Sequence, residues 1–173
     1  KAVCQHRSIT AVGYFDVDSN AARNLADEFP GSVYLSLSDM LMGLKPDIVS
    51  LCSPDECHYP QIIEILSSEY CPKLIFVEKP LCKKPSELED VIRALDNKPG
   101  VSLFTNHSRR FDLDHLEISS KIKAQFLGNF LSCKVNYYGG WKHNGIHILD
   151  FFHLCFGEPA VFDFAKYGCD GKY

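Results

Sequence analysis

The stretch that decides the fold is Ile75-Phe76-Val77-Glu78-Lys79-Pro80-Leu81. Its apolar residues predict a buried strand over Leu74–Val77, and Pro80 ends that strand because it cannot donate a hydrogen bond to a neighbouring strand. In a parallel sheet flanked by helices, ligands bind just beyond the carboxyl ends of the strands. Glu78 and Lys79 are therefore placed at a ligand crevice, where a lysine ammonium holds a substrate hydroxyl or relays its proton. Taken alone, the three residues E-K-P also fit an exposed turn with both charges in water.

Short apolar strands alternate with amphipathic helices on both sides of this stretch. The predicted strands are residues 9–15, 33–35, 47–52, 74–77 and 101–105. The predicted helices are residues 19–29 with Ser19 as N-cap, 38–44 with Ser38 or Asp39 as N-cap, 58–70, and 85–95 starting at Pro85. This alternation predicts an α/β fold, with a doubly wound parallel sheet covered on both faces and right-handed crossovers.

The pattern changes after residue 105. A polar, irregular stretch, Asn106–Phe111, is followed by a predicted helix over 112–126 and an alternating strand over 130–138. A rather apolar helix is predicted at Gly145–Cys155, and a further strand at 161–165. We therefore predict a domain boundary near residue 106, with a dinucleotide-type α/β domain over 1–106 and the start of an α+β open-sheet domain over 107–173.

The composition is that of a globular protein. With 46% hydrophobic and 23% charged residues, the 173-residue chain is able to bury a core. The net charge of -4 argues against a nucleic-acid partner, and no apolar run approaches the length of a membrane span. Eight cysteines are present, but none forms a C-x-x-C pair and most lie in apolar segments. This usage predicts reduced thiols in a cytoplasmic protein. The first residues, KAVCQHRS, contain no long apolar run, so no signal peptide is predicted.

Asp16 follows the first predicted strand. A carboxylate there accepts hydrogen bonds from the adenosine ribose hydroxyls and repels a 2′-phosphate, which favours NAD over NADP. The alternative is a turn aspartate or a helix cap. The glycine-rich loop G-x-G-x-x-G that accompanies such an acid is absent, and Lys1–Arg7 has the character of a helix end. Either the dinucleotide interpretation is wrong, or the first strand and its loop lie outside this sequence, which leaves the sheet without its central strand.

Several motifs occur in a fixed order along the chain. They are Asp16 after a strand, Ser53-Pro54-x-x-x-His58 after a strand, Glu78-Lys79-Pro80, Asn106-x-x-Arg109-Arg110-Phe111, and Gly145-x-His147-x-x-Asp150 followed by Phe156-Gly157-Glu158-Pro159. In this order and combination the chain resembles the Gfo/Idh/MocA family of oxidoreductases over nearly its whole length.

The resemblance implies a Rossmann domain followed by a domain built on a large open sheet. It also implies use of NAD or NADP to oxidise or reduce sugars, sugar acids, inositols or nucleotide sugars, and a homo-oligomer when the protein is intact. The cofactor contacts it implies are Asp16 at the adenosine ribose, Ser53, Pro54 and His58 along the dinucleotide, Glu78 and Lys79 at the nicotinamide, and Asn106 near nicotinamide and substrate.

Two residues carry the implied chemistry. Lys79 would reach the substrate hydroxyl and stabilise a developing alkoxide. His147 would exchange the hydroxyl proton, a task that suits the near-neutral pKa of an ordinary histidine. The hydride step itself belongs to the cofactor.

One position departs from the family pattern. Many members have aspartate four residues before the catalytic histidine, where this chain has His143, followed by Asn144. His143 is then a second acid/base or a substrate contact, Asn144 a ligand for a sugar hydroxyl, or the chain a relative without activity. A metal site on His143 and His147 is a weaker alternative, because Gly145 weakens a helix between them and no H-E-x-x-H is present. His147 also fits a structural histidine.

Other roles also remain open at this point. Arg109 and Arg110 either bind phosphate or anchor the domain junction, and the junction is the preferred interpretation. Asp150 is interpreted as a supporting residue on its helix rather than a catalyst. The competing functional class is a non-catalytic binding or regulatory protein that retains the oxidoreductase fold.

Overall fold

The structure is a computed structural model that describes residues 6–137, 140 and 144–157. The chain divides into two units, Lys1–Asn106 and His107–Tyr173. Within the described ranges, no helix is both long enough and apolar enough to cross a membrane.

Strands and helices alternate through the first unit. In chain order they are β1 (Gly13–Tyr14), α1 (Ser19–Glu28), β2 (Ser32–Val33), α2 (Leu37–Leu44), β3 (Ile48–Leu51), α3 (Asp55–Ser67), β4 (Leu74–Glu78), α4 (Pro85–Asp96) and β5 (Ser102–Asn106). All neighbouring strands pair in parallel. The predicted α/β alternation and parallel pairing are confirmed. Strand β1 is much shorter than the run 9–15 that predicted it, and β2 covers Ser32–Val33 instead of 33–35.

The strands form two separate sheets, β1-β2 and β3-β4-β5. A Rossmann sheet has the strand order 3-2-1-4-5-6. The two observed sheets correspond to the strands on either side of position 1 in that order. Among the described residues, no strand joins the two sheets.

The core of the first unit lies on one face of β3 and β4. Val49 and Leu51 in β3 alternate with exposed residues, and Ile75 and Val77 in β4 point to the same face. The helices cover this face with a set of apolar side chains, Leu37, Leu41, Ile62, Ile65, Leu66 and Val91. Each such side chain contributes about 1.5–3 kcal/mol on burial. This packing fixes the positions at which β3 and β4 end.

The helix starts differ from those predicted. The N-cap of α1 is Asp18, whose side chain accepts a hydrogen bond from the Asn20 backbone N–H at 2.9 Å, not Ser19. The N-cap of α2 is Ser36, whose Oγ accepts from the Asp39 N–H at 3.0 Å, rather than Ser38 or Asp39. In both cases the cap needs an extended backbone and a side chain that reaches back to the first turn. Helix α3 begins three residues early, at Asp55, where an acid suits the helix N-terminus.

The second unit contains a 3-10 turn at Ser108–Phe111 and helices α5 (Leu113–Lys123) and α6 (Ile146–Phe156). The predicted strand over 130–138 is wrong for its described residues, 130–137, which have no regular structure. A strand needs a neighbour to bond with, and none of the described residues pairs with this segment. The predicted strand at 161–165 lies outside the described residues.

Candidate active site

The carboxyl ends of β4 and β5 bring two predicted site residues together. Glu78 and Asn106 are register partners, and the Asn106 Nδ2 donates a hydrogen bond to Glu78 Oε1 at 2.7 Å. Lys79 follows directly, is half-buried, and is joined to Pro80 by a cis peptide bond. No carboxylate of the described residues forms an ion pair with the Lys79 ammonium. A lysine held at a sheet edge without an internal counter-ion is available to a ligand.

The turn after Lys79 is fixed by the next helix. The Glu87 carboxylate accepts hydrogen bonds from the backbone N–H groups of Lys83 at 2.9 Å and Lys84 at 3.2 Å. This closes the start of α4 as a capping interaction. Cys82 lies between Lys79 and this cap, and burial raises the pKa of its thiol. Its environment therefore holds a neutral thiol rather than a reactive thiolate.

His58 connects the loop after β3 to the turn after β4. Its ring is only 1% exposed. Nδ1 lies 2.7 Å from the Pro80 carbonyl oxygen, and Nε2 lies 2.8 Å from the Ser53 carbonyl oxygen. Because both nitrogens already face backbone carbonyls, the His58 ring holds the two loops together and has no polar atom left for a dinucleotide. The predicted place of His58 along the dinucleotide stays a prediction, and the structure shows its ring between the two loops.

Ser53 and Pro54 occupy the end of β3 as predicted. The Ser53 hydroxyl donates to Gln61 Oε1 at 2.6 Å, and Pro54 precedes the first residue of α3. Gln61 carries no signal in the sequence that marks it as part of the site. It becomes recognisable only once α3 is known to start at Asp55, which places Gln61 within two turns of the loop.

Asp16 lies just beyond β1 and is exposed. Its Oδ1 accepts a hydrogen bond from the Asp18 N–H at 2.9 Å, which makes a local Asx turn. Oδ1 therefore takes part in the turn, as the alternative interpretation of Asp16 predicts. The other oxygen has no partner among the described residues and is accessible to a ribose hydroxyl.

In the second unit, a partly buried ion pair joins the 3-10 turn to α6. The Arg110 Nε lies 2.8 and 2.9 Å from the two carboxylate oxygens of Asp150, and its Nη2 lies 2.8 Å from Oδ1. The His107 Nδ1 lies 3.9 Å from the same carboxylate. The rings of His107 and His147 meet edge to face, with centroids 6.3 Å apart. His147 therefore sits in the first turn of α6 beside a fixed charged pair.

Sequence reasoning missed His107 altogether. The structure describes this contact of Arg110 within the second unit, and the preferred role of Arg110 at a domain junction stays a prediction. The supporting role of Asp150 on its helix is the one that the geometry favours.

A cavity of about 290 Å³ opens in the second unit. Four polar and two apolar side chains line it, namely Arg109, Asn136, Tyr137 and Asn144, with Val135 and Ile148. Asn144 was predicted as a substrate contact, whereas His143 lies outside the described residues. Among the described residues, no group of three or more His, Cys, Asp or Glu side chains is arranged to hold a metal ion.

The parallel sheets with flanking helices, and the polar side chains at the strand ends, define an α/β protein of the Rossmann type. The model of the oxidoreductase family with an NAD-binding Rossmann fold, Gfo/Idh/MocA, matches residues 1–107. The chain belongs to this family.

Curated relatives and a solved structure agree with this assignment. The chain is 26% identical to D-glucoside 3-dehydrogenase of Escherichia coli over 91% of its own length and 50% of the relative. It is 24% identical to inositol 2-dehydrogenase of Rubrobacter xylanophilus over 68% of its length and 33% of the relative. Its fold is similar to scyllo-inositol dehydrogenase of Lactobacillus casei with bound NAD(H) and scyllo-inositol, with a TM-score of 0.76 at 18% identity, covering 90% of this chain and 51% of that one. The chain thus spans half or less of the curated relatives it matches.

Proposed function

We propose that the protein containing this chain is an NAD-dependent oxidoreductase. It transfers hydride between nicotinamide and a carbon bearing a hydroxyl or keto group in a sugar, sugar acid, inositol or nucleotide sugar. The observation that carries the proposal is the Glu78–Asn106 contact at the carboxyl edge of β4 and β5, with Lys79 beside it. The family membership and the named dehydrogenases among its relatives support the same chemistry.

Lys79 is assigned to the substrate hydroxyl. Its ammonium stabilises the oxygen as negative charge develops during hydride removal. The Glu78 carboxylate, held by Asn106, keeps the strand end in place beside the nicotinamide site. NAD supplies the hydride acceptor when bound, and the residues of the chain orient the reacting carbon and manage the proton.

His147 is assigned to proton exchange with the same hydroxyl, with His143 as a second candidate for this role. The Arg110–Asp150 pair fixes the start of α6 and therefore the His147 ring. Asn144 is assigned to a substrate hydroxyl. Under this proposal residues 1–106 form the dinucleotide domain and residues 107–173 form part of the substrate domain, within a cytoplasmic homo-oligomer. The described cysteines are all free thiols, which fits a reducing compartment.

Asp16 tests the cofactor assignment. Asp16→Asn removes the charge that repels a 2′-phosphate, so we expect NADH to bind about tenfold more weakly and NADPH more tightly, since 1.4 kcal/mol corresponds to tenfold. The measurement is a titration of each cofactor followed by Trp141 fluorescence, in this chain and in the whole protein. Asp27→Asn is the matched control, because Asp27 is an exposed acid on α1. Unchanged cofactor preference in Asp16→Asn would contradict the assignment.

Lys79 tests the catalytic assignment. Lys79→Met keeps the length of the side chain and removes its proton and charge, so we expect kcat to fall by about 10²–10⁴ with NADH affinity preserved. Lys123→Met, at an exposed position in the last turn of α5, is the control. A protein that binds NADH but shows no turnover of sugars, inositols or sugar acids would instead be a binding or regulatory member of the fold.

A further inference from the structure

Two adjacent arginines in the second unit have different surroundings. The guanidinium of Arg110 is neutralised by Asp150 through the bidentate contact described above. Arg109 lines the cavity and is half-buried. No carboxylate of the described residues pairs with Arg109, and none of the six side chains lining the cavity is acidic. Within the part of the chain that the structure describes, the cavity therefore carries one positive charge and no carboxylate in its lining.

Helix α5 and its N-cap carry three further described carboxylates, Asp112, Asp114 and Glu117, and none of them lines the cavity. Asp112 caps α5 and contacts His115 Nδ1 at 2.7 Å, and this contact lowers the pKa of its carboxyl. Glu117 pairs with Lys121 one turn along the helix, which also lowers the pKa of Glu117. Among the described residues, the charge of Arg109 is thus available to a group that enters from solvent.

The lining has the chemistry of an anionic carbohydrate site. A guanidinium binds a carboxylate or a phosphate through two parallel hydrogen bonds. Carboxamides both donate and accept, as neighbouring hydroxyls require, and Asn136 and Asn144 supply two of them. Val135 and Ile148 provide apolar contact for the C–H face of a sugar ring. The volume of about 290 Å³ is at the small end for ligand pockets, which are about 300–1,000 Å³, and suits a single ring.

We propose that this cavity selects a negatively charged substrate, with Arg109 as the residue that binds its carboxylate or phosphate group. This inference rests on the proposed function, since it names the substrate class of that oxidoreductase. The predicted substrate is a monosaccharide-sized polyol that carries one anionic group. Neutral sugars and inositols of the same size are predicted to bind less tightly.

The test is isothermal titration calorimetry of this chain with four probes that differ in charge. They are glucose, glucuronate, the methyl ester of glucuronate, and glucose 6-phosphate. We expect glucuronate or glucose 6-phosphate to bind at least about tenfold more tightly than glucose, which corresponds to about 1.4 kcal/mol. The neutral ester should bind like glucose. The two anions distinguish a carboxylate site from a phosphate site.

Three variants connect the preference to Arg109. Arg109→Gln should abolish the preference for the anion, and Arg109→Lys should retain only part of it because an ammonium lacks the planar fork. Arg23→Gln is the matched control, since it removes the same charge from an exposed position on α1 and should leave the preference intact. Circular dichroism melting checks that each variant is folded. If Arg109→Gln does not fold, Arg109→Lys still decides the test.

The outcomes separate this inference from the proposed function. Equal binding of glucuronate, glucose 6-phosphate and glucose would overturn the inference, as would an anion preference that survives Arg109→Gln. Neither result bears on NADH binding, which is titrated separately. An anion preference that depends on Arg109 supports the cavity assignment. If the whole protein then binds neither NADH nor NADPH, the oxidoreductase role is overturned and the anion site is not.

Discussion

Replacing His58 by phenylalanine is the sharpest test of how the site is held together. In His58→Phe the phenyl ring would fill the space of the imidazole but would donate no hydrogen bond. The substitution leaves the carbonyl oxygens of Ser53 and Pro80 without the nitrogens that now lie 2.8 and 2.7 Å away. Because the ring is 1% exposed and phenylalanine occupies its place, water cannot readily replace the lost donors.

The expected cost follows from these contacts. A buried polar group left without a partner costs about 1–3 kcal/mol. One or two carbonyls are affected, depending on how many ring nitrogens carry hydrogen, so we expect a loss of about 1–6 kcal/mol in the free energy of unfolding of the first unit. In a domain of this size each 1 kcal/mol lowers Tm by about 4–8 °C. A loss of this size removes a large part of the stability of an ordinary domain, which is about 5–15 kcal/mol.

The assay is urea unfolding monitored by hydrogen exchange of the β3 and β4 amides, which reports the first unit alone. His6→Phe is the control, because His6 is exposed and a surface change of this kind stays within about 0.5 kcal/mol. A His58→Phe protein within about 1 kcal/mol of the wild type would refute the reasoning. It would show that packing of the ring, rather than its two carbonyl contacts, joins the loops.

Two further predictions concern the second unit. Asp150→Ala leaves Arg110 without its partner and should lower the free energy of unfolding by about 2–4 kcal/mol, somewhat below the 3–5 kcal/mol of a fully buried pair, because 34% of the Arg110 side chain is exposed. Urea unfolding followed by Trp141 fluorescence measures this loss. An Arg110→Met/Asp150→Leu double variant should regain stability, and equal losses in the single and double variants would contradict the argument. Burial raises the pKa of the Cys155 thiol, so iodoacetamide should alkylate Cys155 more slowly than the exposed Cys133. The alkylation rate of Cys155, measured by mass spectrometry of its peptide, should continue to rise above pH 8.5, which is about the ordinary pKa of cysteine. A Cys155 rate that levels off at or below that pH would show that the thiol is accessible.

The fold of the first unit could be predicted because its signals are local. Short apolar runs bounded by proline and charged residues mark β3, β4 and β5, and each strand was placed to within one residue at either end. The caps of α1 and α2 were misplaced because several neighbouring Ser and Asp residues offer similar side chains. Only the backbone conformation decides which of them bonds to the first turn. The segment 130–137 failed for a different reason, since alternation shows that a strand would be amphipathic but not that it has a partner.

In the candidate site, too, some residues could be predicted from the sequence and others depend on tertiary contacts. Glu78 and Lys79 are predicted because they follow an apolar strand, whose carboxyl end faces the ligand crevice of a parallel sheet. Asn106 is implied by the family motif, and the register of β4 and β5 places it beside Glu78. His58 is implied by its spacing after Ser53 and Pro54 in the family motif, but that spacing does not show which atoms its ring nitrogens face. His107 and Gln61 are ordinary polar residues in the sequence, and their contacts depend on tertiary packing.

Arg109 and Arg110 show most directly where sequence reasoning stops. Both follow Asn106 in the same motif, and a sequence assigns them the same charge and the same reach. In the structure, Asp150 lies 40 positions further along the chain and neutralises Arg110 only. A charge that is paired stabilises the unit, while a charge that is left unpaired in a cavity favours a ligand of opposite sign. The function of an arginine is therefore set by the carboxylate that reaches it, and the anion preference predicted for Arg109 depends on Asp150 being committed to its neighbour.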